Sequence, residues 1–119
     1  MPMAISWSAQ QRSTVDEALT RHPVASSRCA SAAAEILPPA RELDPEACAR
    51  KCEPVYGRYV HETYLWYYHV AVSAAKHHVD ALTGPDGLDT ATYLSRHWAD
   101  TDAFSWSTLS STQLQELST

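Results

Sequence analysis

The run from residue 63 to residue 73 limits most strongly what this chain can fold into. Aromatic and β-branched side chains fill the run, and a segment of this composition predicts a β-strand. A second apolar stretch follows at residues 78–82, and residues 74–77 form a short turn between the two. Strands joined by so short a turn pair antiparallel. The sequence therefore predicts a β-hairpin around which the rest of the fold is arranged.

Two helices are predicted before this hairpin. The first covers about residues 6–20, where apolar residues recur at helical spacing, and Ser6 is its expected N-cap. The second is rich in alanine, opens just before Cys29 and stops at the pair Pro38 and Pro39. Because so many of its residues are small, we expect this second helix to pack closely against a sheet.

The segments on either side of the hairpin complete the predicted elements. Residues 40–47 are expected to form a loop, and residues 48–60 show a β-like pattern. After the hairpin, residues 89–98 predict a short helix capped by Asp89. The tail over residues 107–117 predicts a weak helix or a frayed end.

Together these elements predict an α+β fold in which N-terminal helices pack on a small antiparallel sheet and a helical segment closes the chain. A chain of 119 residues, 45 % hydrophobic and 19 % charged, is long enough for one modest core. We expect residues 1–119 to form a single domain. Its parts are an N-terminal helix in residues 1–25, a core in about residues 26–98, and a C-terminal tail or helix in residues 99–119.

Charge and cysteine content argue against several classes of protein. The net charge is −5 and no run of Lys or Arg occurs, so we expect no nucleic-acid partner and no anionic membrane surface. No stretch approaches the roughly 18 apolar residues of a membrane-spanning helix. The first residues lack the basic and apolar regions of a signal peptide, so a cytoplasmic location is expected for the chain as encoded. Three cysteines make a disulfide framework improbable.

One group of residues has a spacing near that of zinc ligands. Cys48 and Cys52 are separated by three residues, and His61 follows. The sequence offers no fourth ligand at a clear spacing, so we predict no metal site and no cofactor.

Three residues on the predicted elements have the layout of a cysteine nucleophile with its base and its orienting acid. Cys29 stands at the start of the alanine-rich helix, His69 in the first hairpin strand and Asp80 in the second. If the turn centres between Ala75 and Lys76, His69 and Asp80 are diagonal neighbours on one face, roughly 5–8 Å apart at Cβ. A three-residue turn without a bulge would put them on opposite faces.

The start of a helix is a suitable place for a reactive thiol. The helix dipole lowers the pKa of a thiol there, and the thiolate is the nucleophile. Backbone N–H groups at the same end can bind an oxyanion. In this hypothesis Cys29 attacks an amide or ester, His69 moves the proton, and Asp80 holds the imidazole in one tautomer. The structural alternatives are an inert buried thiol, an ordinary strand histidine, and an aspartate that binds the amides of its own turn.

The residues around this triad resemble the minimal papain-like fold of bacterial toxins and effectors. The resemblance rests on Arg28 and Cys29 before an alanine-rich helix, on YHVAV at residues 68–72 and on VDALTG at residues 79–84. It covers roughly residues 26–98. Members of this group include glutamine deamidases and cysteine peptidases of polymorphic toxin systems. The resemblance implies hydrolysis of a protein or peptide amide by the three residues named above.

The resemblance also implies a setting and partners. The expected substrate is a protein or peptide, the chain would be secreted or delivered as an effector, and a cognate immunity or inhibitor protein would accompany it. Many papain-like enzymes carry a Gln a few residues before the nucleophile as an oxyanion donor, and the stretch 22–26 has none. His22 or backbone groups are the candidates for that role. Trp66 is a candidate for the wall of a substrate groove, against an ordinary role in the core or on the sheet surface.

Three functions stay open at this point. The first is an active cysteine hydrolase, either a deamidase or a peptidase, since both use the same thioester chemistry. The second is a catalytically inactive papain-like binding module, which the missing Gln favours. The third is a transglutaminase-like leader peptidase that trims a peptide in a biosynthetic pathway.

Overall fold

The computed structural model describes residues 4–23, 28–53, 55–59, 62–66, 68–99 and 105–118. In these residues the chain forms an α+β fold with two antiparallel sheets, as the sequence predicted at that level. The helices are α1 (Ala9–Arg21), α2 (Cys29–Leu43), α3 (Thr90–His97) and α4 (Ser111–Ser118). The strands are β1 (Cys48–Glu53), β2 (Val55–Tyr59), β3 (Glu62–Trp66), β4 (His69–Ala74), β5 (His77–Val79), β6 (Leu88–Asp89), β7 (Trp98–Ala99) and β8 (Ser105–Leu109).

The larger sheet has five strands in the order β6-β5-β4-β1-β8, and the smaller has three in the order β3-β2-β7. In the larger sheet β4 pairs antiparallel with β1, where His69 lies opposite Cys52. β1 pairs in turn with β8, where Trp106 lies opposite Cys52. Since directly opposed residues point to the same face, these three side chains form one row across the sheet.

The two faces of the larger sheet are covered by different helices. Side chains alternate between the faces along β4. Val70 is fully buried in a cluster that includes Ile36 of α2. Ala71, on the opposite face, packs in a smaller cluster with Cys52 and with Tyr93 of α3. β4 therefore lies in the middle of the fold, with α2 on one side and α3 on the other.

The hairpin turn has the predicted position. Ala75 and Lys76 are the two residues between the paired ends of β4 and β5. Both have positive φ angles, 48° and 65°, as the central residues of a type I′ turn do. The register of the hairpin is therefore the one that puts His69 and Asp80 on the same face.

Both predicted hairpin strands are longer than the observed ones. The strand predicted over residues 63–73 is two strands, β3 and β4, in different sheets. The partner predicted over residues 78–82 ends at Val79. Asp80 opens a turn instead, and its carbonyl accepts a hydrogen bond from the Gly84 N–H at 3.0 Å. Strand propensity is similar throughout these stretches, whereas the change of sheet and the turn depend on contacts made elsewhere in the fold.

α2 continues through the two prolines that we expected to end it. It reaches Leu43, so the loop predicted over residues 40–47 begins only at Asp44. A proline inside a helix removes one backbone hydrogen bond and disfavours the turn before it. Pro39 and Ala40 are buried, and Ala40 belongs to the main core cluster, which is the one that holds Ile36 and Val70. The burial of this apolar surface offsets the lost hydrogen bond.

Local capping contacts decide the start of α1 and of α3. Ser8 and Gln11 form a capping box, so Ser8 is the N-cap of α1 and the prediction of Ser6 is wrong. Asp89 caps α3 as predicted, because its carboxylate accepts a hydrogen bond from the Thr92 N–H at 3.2 Å.

The C-terminal segment contributes a strand as well as a helix. β8 pairs with β1, and the helix predicted over residues 107–117 begins only at Ser111 as α4. Leu109 of β8 and Leu114 of α4 are buried in the main core cluster. The tail is therefore part of the packed core and is not a frayed end.

Candidate active site

His69 and Asp80 meet at one end of the β4–β5 hairpin. His69 is the first residue of β4, and Asp80 directly follows β5. The Nε2 atom of His69 lies 2.8 Å from Oδ2 of Asp80. Each residue is only 3 % exposed, so this contact is shielded from water. The hairpin register and the period of two along each strand bring the two side chains together.

Asp80 is held by donors from its own turn and from α3. Its Oδ1 atom accepts hydrogen bonds from the backbone N–H groups of Leu82 at 2.9 Å and Thr83 at 3.0 Å. Its Oδ2 atom accepts a second hydrogen bond, from the Tyr93 hydroxyl at 2.5 Å. Burial raises the pKa of Asp80, but these hydrogen bonds and the charge of His69 lower it below its usual value. Asp80 is therefore a fixed, ionised acceptor for the imidazole.

Cys29 reaches the same histidine from the other side. It is the first residue of α2, is half-buried, and lies near enough to the His69 side chain for the thiol and the imidazole to shift each other's pKa. Because Nε2 of His69 is engaged by Asp80, Nδ1 is the ring nitrogen available to the thiol. The backbone N–H groups of Ala30 and Val70 also donate to the Cys29 sulfur. The structure thus brings all three predicted residues into one chain of contacts.

The electrostatics of this group favour a charged pair. Burial raises the pKa of the Cys29 thiol, but the nearby His69 imidazole and the backbone N–H groups of Val70 and Ala30 lower it overall. Burial lowers the pKa of His69, yet its contacts with Asp80 and Cys29 raise it to about 9. The two shifts have opposite signs, and together they favour a thiolate beside an imidazolium.

Cys52 lies close to the site, and its pKa is shifted in the opposite direction from that of Cys29. It is fully buried, and its Sγ atom is 3.8 Å from the carbonyl oxygen of His69. Burial, with the nearby charges of Asp80 and Cys29, raises the pKa of Cys52 to about 12. Cys52 therefore stays a thiol at neutral pH, and Cys29 is the thiol of the two whose pKa is lowered.

The cysteines of β1 are not arranged as metal ligands. Cys48 and Cys52 are four residues apart on one strand, which separates them by about 13 Å. Among the residues that the structure describes, no group of three or more His, Cys, Asp or Glu side chains gathers as metal ligands would. His61 lies outside the described residues.

The structure describes the side chain of His22 but not that of Trp66, the two residues predicted to bind substrate. His22 follows the last residue of α1, and its Nε2 contacts Oε2 of Glu35. Glu35 lies six residues after Cys29 on α2, about 9 Å along the helix axis, so His22 is engaged well away from the thiol. Trp66 is the last residue of β3, and its side chain lies outside the described part of the structure.

Two residues of the site were missed by the sequence analysis. Tyr93 is fully buried and binds Asp80, and His78 stacks on its ring at a centroid distance of 4.9 Å. His78 lies in β5 and is 2 % exposed. Burial lowers its pKa to about 4, so it is neutral at neutral pH. The contacts join β5 to α3, and no spacing in the sequence indicates them.

In comparisons with known proteins, no family model, curated protein or solved structure matches the chain. In the described part of the chain, no helix is both long and apolar enough to cross a bilayer.

Proposed function

We propose that this chain is a cysteine hydrolase that cleaves protein or peptide amides through Cys29, His69 and Asp80. One observation carries the proposal: a buried imidazole lies between an ionised carboxylate and the thiol that begins α2. A nucleophile, a base and a group that orients the base are the parts that covalent acyl transfer requires. In this proposal the α+β domain is a papain-like domain.

The first half-reaction forms a thioester. The Cys29 thiolate attacks the carbonyl carbon, a C–S bond forms, and the carbonyl π electrons move to the oxygen. The tetrahedral intermediate then collapses, the C–N bond breaks, and the His69 imidazolium gives its proton to the leaving nitrogen. The product is a thioester of Cys29, with ammonia or an amine released.

The second half-reaction restores the enzyme. Neutral His69 takes a proton from water as the oxygen attacks the thioester carbonyl. The C–S bond breaks, the Cys29 thiolate leaves, and the acid product departs. When the amide is a glutamine side chain the result is deamidation to glutamate; when it is a backbone amide the result is peptide cleavage.

Backbone groups are the proposed donors to the oxyanion. Ala30 N–H, in the first turn of α2, already donates to the Cys29 sulfur. The start of a helix offers further N–H groups without intrahelical partners, and its dipole favours negative charge. Because His22 is engaged by Glu35, these amides are the better candidates for the role that Gln fills in related enzymes.

The proposed setting follows from the same resemblance. A small hydrolase of this kind would act as a bacterial toxin or effector on a protein substrate, and a dedicated inhibitor protein would hold it inactive in the producing cell. Isolation of a tight complex between this chain and a protein that blocks Cys29 alkylation would support that setting.

The experiment that tests the function uses the three cysteines as mutual controls. Brief treatment with iodoacetamide at pH 6, followed by peptide mass spectrometry, should label Cys29 far faster than Cys48 or Cys52. Release of ammonia or of new peptide termini from a mixed protein substrate should disappear in Cys29→Ala and persist in Cys48→Ala. Equal labelling of the half-buried thiols Cys29 and Cys48, or full activity in Cys29→Ala, would show that the chain is not this enzyme.

A further inference from the structure

We propose that Tyr93 is a positioning residue that sets how strongly Asp80 binds the His69 imidazolium. The inference rests on the proposed function, because it takes Cys29 and His69 as the reactive pair. Tyr93 acts through Asp80, which it contacts directly, and its ring is held in the cluster that covers the second face of the sheet.

The contacts of Asp80 carry the argument. Tyr93 and His69 donate to the same oxygen, Oδ2, at 2.5 Å and 2.8 Å. The other oxygen accepts two N–H groups of the turn. These four donors occupy the roughly four acceptor sites of a carboxylate. Two donors on one oxygen share its negative charge, so the Tyr93 hydroxyl weakens the attraction between Asp80 and His69.

The position of the hydroxyl is closely fixed. The Tyr93 side chain is 0 % exposed. Its ring stacks on His78 with an angle of 12° between the planes, and His78 contacts Trp106 edge-on. A hydroxyl held in this way keeps its hydrogen bond to Asp80 through the reaction, which is how an outer residue tunes a catalytic group.

The other ionisable groups near the pair are known from each packed element. Among the residues that the structure describes, those near Asp80 and His69 are Cys29 from α2, Cys52 and Arg50 from β1, Tyr68 just before β4, and His78 from β5. Tyr93→Phe changes none of their charges and keeps the stacked ring. A change in the titration of His69 in this variant therefore reports the lost hydrogen bond.

The variant Tyr93→Phe should raise the pKa of His69. With one donor removed, Oδ2 of Asp80 binds the imidazolium more strongly, and the proton is held to higher pH. A more weakly acidic imidazolium gives its proton less readily to the leaving nitrogen. We therefore expect kcat to fall several-fold with KM unchanged, and the alkaline limb of the pH profile to move upward.

The experiment follows the His69 ring by NMR in protein labelled with ¹⁵N-histidine. In Tyr93→Phe the titration midpoint of the His69 ring should rise by about half a unit to one unit, because only part of the strength of one hydrogen bond to Asp80 is passed on to His69. The matched control is Thr90→Val, which removes another α3 hydroxyl, the one 3.2 Å from Nδ1 of His78, and should leave the midpoint unchanged. An unchanged or lower midpoint in folded Tyr93→Phe would overturn the proposal.

A second measurement covers the case in which Tyr93→Phe fails to fold. Protein made with 3-fluorotyrosine keeps every tyrosine ring and makes each hydroxyl a stronger donor. The midpoint of the His69 pH titration should then fall, and a rise or no change in that midpoint would overturn the proposal. Both titrations need no substrate, so a protein that hydrolyses no amide yet shows these shifts would refute the proposed function and support the role of Tyr93.

Discussion

The Nε2 atom of His69 lies 2.8 Å from Oδ2 of Asp80, eleven residues further along the chain. A two-residue turn and the alternation of strand side chains are sufficient to bring them together. The contact would have little value at the surface, where water competes for both partners. Here both are buried, and the carboxylate holds the ring with one nitrogen toward Cys29.

Replacing Asp80 should disable the site, because its charge and its acceptor oxygens hold the His69 ring. In Asp80→Asn the charge is lost, so the pKa of His69 falls and the Cys29 thiol is no longer held as a thiolate. We expect hydrolysis to fall by about 10²- to 10⁴-fold, with a parallel loss of Cys29 alkylation at pH 6. The control is Asp89→Asn, because asparagine also caps helices and Asp89 is the cap of α3. Equal rates in the two variants would contradict the role of Asp80.

The buried His78 should make the fold sensitive to acid. Its pKa is lowered from 6.5 to about 4 in the folded protein, whereas the unfolded chain titrates near 6.5. Between these values the unfolded state binds more protons, so the free energy of unfolding falls as the pH drops from 6.5 to 4. The full effect is about 3 kcal/mol for a shift of this size.

Urea denaturation between pH 4.5 and pH 7 checks this prediction. His78→Phe keeps a ring against Tyr93 but cannot titrate, so its stability should fall less steeply with acid than that of the unchanged chain. The slope that remains in the variant comes from other groups, including the Cys29 and His69 pair. Identical slopes in the two proteins would show that His78 is not the acid-sensitive group.

The hairpin turn offers a stabilising substitution. Lys76 has a φ angle of 65°, in the left-handed region, which costs a residue with a Cβ atom about 1–2 kcal/mol. Lys76→Gly removes that cost but makes the unfolded chain more flexible, so we expect a net gain of roughly 1 kcal/mol. Lys76→Ala removes the same charge and keeps the strain, so it should show no such gain in thermal or urea unfolding.

The turn before β6 should tolerate no side chain at Gly87. Its φ angle is 66°, and an added Cβ would lie 3.1 Å from the His78 carbonyl oxygen and from Cγ2 of Val79. Gly87→Ala should therefore cost about 2–3 kcal/mol of stability. Gly84 has a similar φ of 74° but open space around it, so Gly84→Ala should cost less. A larger loss of stability in Gly84→Ala than in Gly87→Ala would mean that backbone strain, and not crowding, determines the cost.

Local chemistry made much of the site predictable. Strand propensity marked the hairpin, the short connection set its register, and the register put His69 and Asp80 on one face. The alanine-rich pattern placed Cys29 at the start of a helix. Each of these inferences uses residues close together in the chain, where turn geometry and periodicity apply directly.

Contacts between distant segments were not predictable in the same way. Tyr93 binds Asp80 from thirteen residues away, across the boundary between a turn and α3. Helix α2 passes through Pro38 and Pro39 because Pro39 and Ala40 are buried against the core, which no local signal shows.

The sequence by itself determined the hairpin, the helix start at Cys29 and the order of the three candidate residues, since short-range periodicity and turn length decide them. Only the tertiary structure decided which residues surround that group. The packing of α3 on the sheet placed Tyr93 on Asp80 and buried His78 beneath it. The whole fold also sets the opposite pKa shifts of Cys29 and Cys52: burial raises the pKa of both thiols, and the nearby His69 lowers that of Cys29 below its usual value.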